Sequence, residues 1–147
     1  MQQRFDVGAV APDGFQAMLG VHHYVDHCGV ALRLLELVRL RVSQLNGCAF
    51  CLGMHAPLAR RHGVSEQELT LLPAWREAPL FSPGERAALA WAEALTQLTP
   101  HGVPDAVYAE MQAQFSAKEI ADVSFAVAEI NAWNRLMAAS RTPPQAG

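Results

Sequence analysis

Three serines in this 147-residue chain are each followed, three positions later, by a glutamate: Ser65 with Glu68, Ser82 with Glu85, and Ser116 with Glu119. Each pair opens a stretch whose apolar residues recur with helical period. A serine hydroxyl can accept the third backbone N–H of a helix while the glutamate reaches back to the serine N–H, so each pair marks a helix start. Pro83 fills the first helical position of the second one. β-Branched residues never alternate over several positions, so strand signals are nearly absent. The chain therefore reads as all-α, an antiparallel helical bundle of about six or seven helices joined by short loops.

The remaining elements follow from caps and periodicity. Residues 1–12 read as an irregular N-terminal arm. Asp13 is placed to cap a first helix that carries Met18, Leu19, His22 and Val25 and stops at Gly29. A second helix runs from about Ala31 to Leu45, with Leu34, Leu35, Val38, Val42 and Leu45 on one face. Asn46-Gly47 makes a tight turn into a third helix, which starts near Cys48 and stops at Gly63. Pro57 removes the hydrogen bond to Gly53 and predicts a kink there. Ile120, Val123, Val127, Ile130 and Asn134 form a stripe on the longest, last helix. Residues 141–147 read as a loose tail. No linker separates two domains, so residues 1–147 form one.

Composition narrows the function. Hydrophobic residues make up 51% and charged residues 17%, with a net charge of −3. Soluble domains carry about 25% charged residues, so the apolar surplus predicts a subunit interface. A pI near 6.0 and a single lysine, Lys118, argue against a nucleic-acid binder. No segment reaches the ~18 apolar residues of a membrane span, and MQQRFDVGAV lacks the core of a signal peptide, so the expected place is the cytoplasm. In that compartment a close cysteine pair serves redox or metal chemistry more often than stapling.

That pair lies in the most informative stretch, from Glu36 to His62. Cys48, Cys51 and His55 fall at i, i+3 and i+7, on one helix face. Folding the two helices back at Asn46-Gly47, at ~1.5 Å rise per residue, puts Glu36 roughly 15 Å from the turn, His55 roughly 12 Å and Cys51 about 6 Å. Glu36 should thus face His55 rather than Cys51. A carboxylate then orients a histidine, and the histidine activates a thiol. The helix dipole favours a thiolate at Cys48. Cys51 instead has a proton acceptor one turn away, which makes it the favoured attacker and Cys48 the resolving thiol.

The order Glu36, eleven residues, Cys48-x-x-Cys51, three residues, His55 resembles the AhpD-like alkylhydroperoxidase branch of the carboxymuconolactone decarboxylase superfamily. LRVSQLNGCAFCLGMHAPLARRHG and the later INAWNR are also similar to its members. The resemblance implies an all-α fold, trimers or hexamers, and antioxidant reduction of organic hydroperoxides by thiols. It implies that Cys51 attacks the peroxide, Cys48 resolves it, and Glu36 and His55 relay protons, with His55 helping to protonate the departing alkoxide. No bound cofactor or metal is implied; the reductant is an external dithiol of lipoyl or thioredoxin type. Phe50 stands where some members carry a histidine.

Two other functions compete. One is a decarboxylase-like or lactone-handling activity, against which the cysteine pair argues. The other is a non-catalytic redox sensor whose disulfide switches assembly. Simpler readings stand beside these. The cysteines can be small buried hydrophobes. A zinc site would need Cys28 or His27 as a fourth ligand, from a first helix folded over the pair. Leu52 excludes a c-type haem motif, and no βαβ pattern supports a thioredoxin fold. Glu36 can pair with Arg33 or Arg39 on its own helix. His22, His23 and His27 read as helix surface, Cys28 as a bystander thiol, and Trp91, Trp133 and Phe125 as core or interface aromatics. Asn131 and Asn134 serve either an interface or the site.

Overall fold

All three capping boxes form. In each, the serine hydroxyl accepts the glutamate N–H while the glutamate carboxylate accepts the serine N–H. The computed structural model describes residues 1–144 and contains eight α-helices among them. They are α1 (Val7–Val10), α2 (Pro12–His27), α3 (Leu32–Asn46), α4 (Ala49–Arg61), α5 (Glu66–Leu71), α6 (Pro83–Thr96), α7 (Asp105–Gln114) and α8 (Ala117–Ser140). A 3₁₀ turn, Leu72–Ala74, follows α5. The described residues contain no β-structure beyond an isolated Thr99–Gly102 bridge. None of the described helices is long and apolar enough to cross a membrane.

The expectation for residues 1–12 needs correction. Asp6 accepts the Ala9 N–H at 3.0 Å and caps the one-turn α1, whose Val7 is buried. Arg4 N–H donates to the Ser140 carbonyl at 2.8 Å, so this segment docks on the end of α8. A single turn is too short to show periodicity, which hides it in the sequence. The α2 cap is also different: Ala11 is the N-cap, with no side-chain bond, and Asp13 lies in the first turn. At the other end, Arg141 adopts φ 54° and closes α8, and the Thr142 N–H donates to the Met137 carbonyl at 3.1 Å. Residues 142–144 carry no helix, and the rest of the expected loose tail, 145–147, lies outside the described residues.

Helix α3 is the hub. It packs against α4, α6 and α8. Its burial extends well beyond one stripe: Leu34 to Leu40 is buried without a break, Glu36 and Arg39 included. One apolar cluster joins Leu35, Val38 and Val42 to Val123, Val127 and Ile130 of α8, and a second joins Leu37 and Leu40 to Leu72, Trp75 and Leu89. A helix buried on both sides must pair any charge it carries. Arg33, at its start, pairs with Glu68 and with Glu85 (2.8 Å to the latter), tying two capping-box glutamates to α3. Helix α4 runs from Ala49 to Arg61 through Pro57.

Candidate active site

Gly47 sets where the chemistry begins. Its φ of 66° ends α3 in the left-handed region that suits glycine, and the chain reverses at once into α4 with Cys48 as N-cap. The Cys48 sulfur accepts the Cys51 backbone N–H at 3.4 Å. One turn deeper, His55 is only 1% exposed, and its Nδ1 lies 2.8 Å from Glu36 Oε2 on α3. The hairpin register deduced from helical rise thus holds. Because the carboxylate accepts, the proton belongs on Nδ1 and Nε2 presents a lone pair. Nε2 finds no hydrogen-bond partner among the described residues. His55 and Cys51 therefore share a helix face without a direct hydrogen bond.

The two thiols are electrostatically opposite. Hydrogen bonds from the Cys51 thiol, from the Cys51 and Phe50 backbone and from the Asn134 side chain outweigh burial and lower Cys48 from its ordinary 9.0 to about 7. The same thiol–thiol contact, together with burial, pushes Cys51 up. The first proton to leave the pair therefore comes from Cys48, and the one that remains stays on Cys51. Asn134 is buried and held in place: its amide donates to Ser43 Oγ at 3.1 Å and its oxygen accepts from Asn46 at 2.9 Å.

Glu36 is part of a larger buried charge cluster. Arg39, 1% exposed, donates to Glu36 at 2.9 Å, to Glu129 of α8 at 3.3 Å, and pairs with Asp26 of α2 at 2.7 Å. Burial alone would lower the arginine pKa, but the three carboxylates raise it. Burial likewise opposes ionisation of Glu36, and the bonds from His55 and Arg39 still hold its pKa below the usual carboxylate range. His22 completes the cluster, bonded through Nδ1 to Glu129 and lying 3.3 Å from Asp26 through Nε2. The Glu129 bond overcomes burial and raises the His22 pKa. His22 was expected on a helix surface, yet only about a quarter of its side chain is exposed. The sequence offers no sign that α2 and α8 converge on Arg39.

Cys51 opens on a cavity of about 150 Å³. Its wall is apolar, from Phe15, Leu19, Phe50, Met54, Trp133 and Met137, apart from Cys51 and His22. Cys48 lines a different opening of about 390 Å³, rimmed by Arg4 and Arg141. Phe50 and Met137 contribute to both. A larger, more open groove of about 670 Å³, lined by Trp75, Arg86, Val107 and Glu110, contains neither cysteine. The same hairpin thus gives the cysteines different access: Cys51 to a small apolar pocket, Cys48 to a wider cleft that carries Arg4 and Arg141.

All four residues picked from the sequence, Glu36, Cys48, Cys51 and His55, converge on this hairpin. His22, Arg39, Glu129, Phe15 and Trp133 were missed as site residues. Cys28 is half-buried at the end of α2 and takes no part in the thiol pair. No group of three or more His, Cys, Asp or Glu is arranged to hold a metal among the described residues.

Residues 12–94 match the model of the carboxymuconolactone decarboxylase family. The uncharacterized protein YdfG of Bacillus subtilis (strain 168) is 36% identical over 136 residues, 92% of each chain. The structure is similar to that of ATU0492 from Agrobacterium tumefaciens, a protein of unknown function named for the antioxidant defence protein AhpD. That match has a TM-score of 0.95 at 36% identity and covers 99% of this chain and 100% of that one. The debrominase Bmp8 shares the fold at a TM-score of 0.82 and 21% identity, over 94% of this chain and 74% of its own.

Proposed function

The chain belongs to the carboxymuconolactone decarboxylase family, in its AhpD-like branch, and from that premise we propose that it is a thiol peroxidase that reduces small organic hydroperoxides at Cys48 and Cys51. The observation that carries this reading is the division between the two sulfurs. One is acidic and capped by backbone N–H groups; the other faces an apolar cavity of small-molecule size. A peroxidase that works through a disulfide needs both.

The chemistry follows from that division. A hydroperoxide enters the cavity beside Cys51. The Cys51 proton moves to Cys48 across their hydrogen bond, and the Cys51 thiolate attacks the outer peroxide oxygen. The O–O bond breaks, an alkoxide leaves and takes up a proton, and Cys51 becomes a sulfenic acid. Cys51 attacks although Cys48 is the stronger acid, because Cys51 is the thiol that lines the apolar cavity. Cys48, with a pKa near 7, readily becomes a thiolate again and displaces the hydroxyl from Cys51. The Cys48 proton leaves with the hydroxide as water, relayed by His55, which Glu36 orients one turn from Cys51. The sum is one hydroperoxide and two thiols giving alcohol, water and a disulfide. An external dithiol of lipoyl or thioredoxin type restores the thiols by exchange.

The enzyme works as a homo-oligomer in this reading. Phe125 is 51% exposed on α8 and stacks edge-on against exposed Tyr24, an apolar surface suited to a second subunit. The test of the function is hydroperoxide consumption with dithiothreitol as reductant, comparing the native protein with Cys51→Ser. Turnover lost in the variant supports the proposal. Equal rates sink it and return the decarboxylase and sensor readings.

A further inference from the structure

The buried cluster reaches the Cys51 cavity at a point the thiol relay does not use. His22 is the one ionisable wall residue besides Cys51, and His55 does not line the cavity. Glu129 of α8 bonds the imidazole Nδ1 and Asp26 of its own α2 lies 3.3 Å from Nε2, while the Arg39 guanidinium of α3, 3.4 Å from Nδ1, is a like charge that opposes the imidazolium. Three carboxylates, Asp26, Glu36 and Glu129, surround one guanidinium in this cluster. Buried charge in a poorly polarisable interior must be balanced. A proton on His22 brings the cluster closer to neutrality, and Glu129 and Asp26 are there to receive it.

An acid is also what the first chemical step lacks. When the O–O bond breaks, a strongly basic alkoxide appears inside an apolar pocket, where its charge is unsolvated. The Cys51 proton has gone to Cys48, and His55 Nδ1 is committed to Glu36.

We propose that His22 is a second catalytic residue of this site: as imidazolium it protonates the departing alkoxide. The inference rests on the peroxidase reading. In the step, the Cys51 thiolate bonds to the outer oxygen and the O–O bond breaks. The sulfur is oxidised by two electrons to sulfenic acid, and the inner oxygen leaves as alcohol with the His22 proton. Neutral His22 is recharged from water, since its side chain is 27% exposed and that of neighbouring Asp26 is 31% exposed.

The role predicts a dependence on leaving-group basicity that a structural role would not produce. The experiment measures single-turnover oxidation of the full-length protein by tert-butyl hydroperoxide, whose leaving alkoxide is strongly basic, and by peracetic acid, whose leaving acetate needs no acid. His22→Gln should slow the tert-butyl hydroperoxide reaction by about a hundredfold and the peracetic acid reaction at least tenfold less than that. Equal losses with both oxidants overturn the inference while leaving the peroxidase reading intact. A native protein unreactive toward both overturns the two together. Glu129→Gln is the second variant, for the case that His22→Gln does not fold. It removes the carboxylate that raises His22, so the alkaline fall of the tert-butyl hydroperoxide rate should move to lower pH. An unmoved limb counts against His22.

Discussion

Glu36 and His55, nineteen positions apart, meet at 2.8 Å across the α3–α4 hairpin, and both are almost completely buried. The carboxylate fixes which imidazole nitrogen carries the proton and which way the ring faces. That contact holds in place a buried histidine one turn beyond a cysteine.

Glu36→Gln keeps the shape and removes the charge. The amide can present its N–H to Nδ1 and favour the wrong tautomer. Oxidation of the thiol pair by cumene hydroperoxide should fall by about a hundredfold or more, the usual cost of losing a positioned acid–base group. Circular dichroism should not change. Undiminished oxidation would mean that His55 does not need its partner.

Cys48→Ser separates attack from resolution. The variant keeps Cys51 in its cavity but has no second sulfur to form the disulfide. It should consume about one equivalent of hydroperoxide per chain and stop at a sulfenic acid that dimedone traps. Sustained turnover with dithiothreitol, or no sulfenic acid, would mean that the roles are reversed.

The cysteine pair of the reduced protein should contribute most to stability near pH 9. Cys48 is depressed to about 7 in the fold, whereas an unfolded thiol titrates near 8.5–9. Between those values the unfolded chain binds a proton that the native one does not, so stability rises with pH from about 7 to about 9. Cys51 is raised. Above about 9 the unfolded chain therefore loses a proton that the native one keeps, and stability falls again. Urea titrations of the reduced protein check both limbs. Cys48→Ser should abolish the rise, and a rise of the same size in that variant contradicts the assignment.

Arg39→Met should cost about 3–5 kcal/mol of stability, because removing one partner leaves buried carboxylates uncompensated. Chemical denaturation measures this directly. Glu129→Gln in the same chain removes one of the buried, uncompensated charges and should recover part of the loss. A single variant as stable as the native protein would mean that water reaches the cluster freely.

The hairpin was legible because its geometry is local. Cys48, Cys51 and His55 lie on one helix, a glycine turn sets the register, and rise per residue then places Glu36 beside His55. The helix starts at Glu66, Pro83 and Ala117 were legible for the same reason, since each capping box spans four residues. The α1 turn escaped notice because four residues carry no period. The Asp13 cap failed because Pro12 begins the helix one residue earlier.

The order of the thiols was only half legible. A helix N-terminus favouring a thiolate at Cys48 and a histidine one turn from Cys51 are both visible in the sequence, and they point in opposite directions. Packing gives the two sulfurs different surroundings. Asn134 and the backbone N–H groups acidify Cys48, while Phe15, Met54 and Trp133 wall the cavity at Cys51.

The sequence by itself determined an all-helical chain, its capped helix starts, and a four-residue thiol constellation on one hairpin. Only the tertiary structure decided that His22, Asp26 and Glu129 join Arg39 and Glu36, since the α8 glutamate lies 90 residues from the arginine and 107 from the histidine. Periodicity shows which face of a helix is buried and what lies within one turn. It does not show which buried charges on different helices will meet. That depends on how α2 and α8 cross α3, and the crossing is set by side-chain packing along the whole length of the helices.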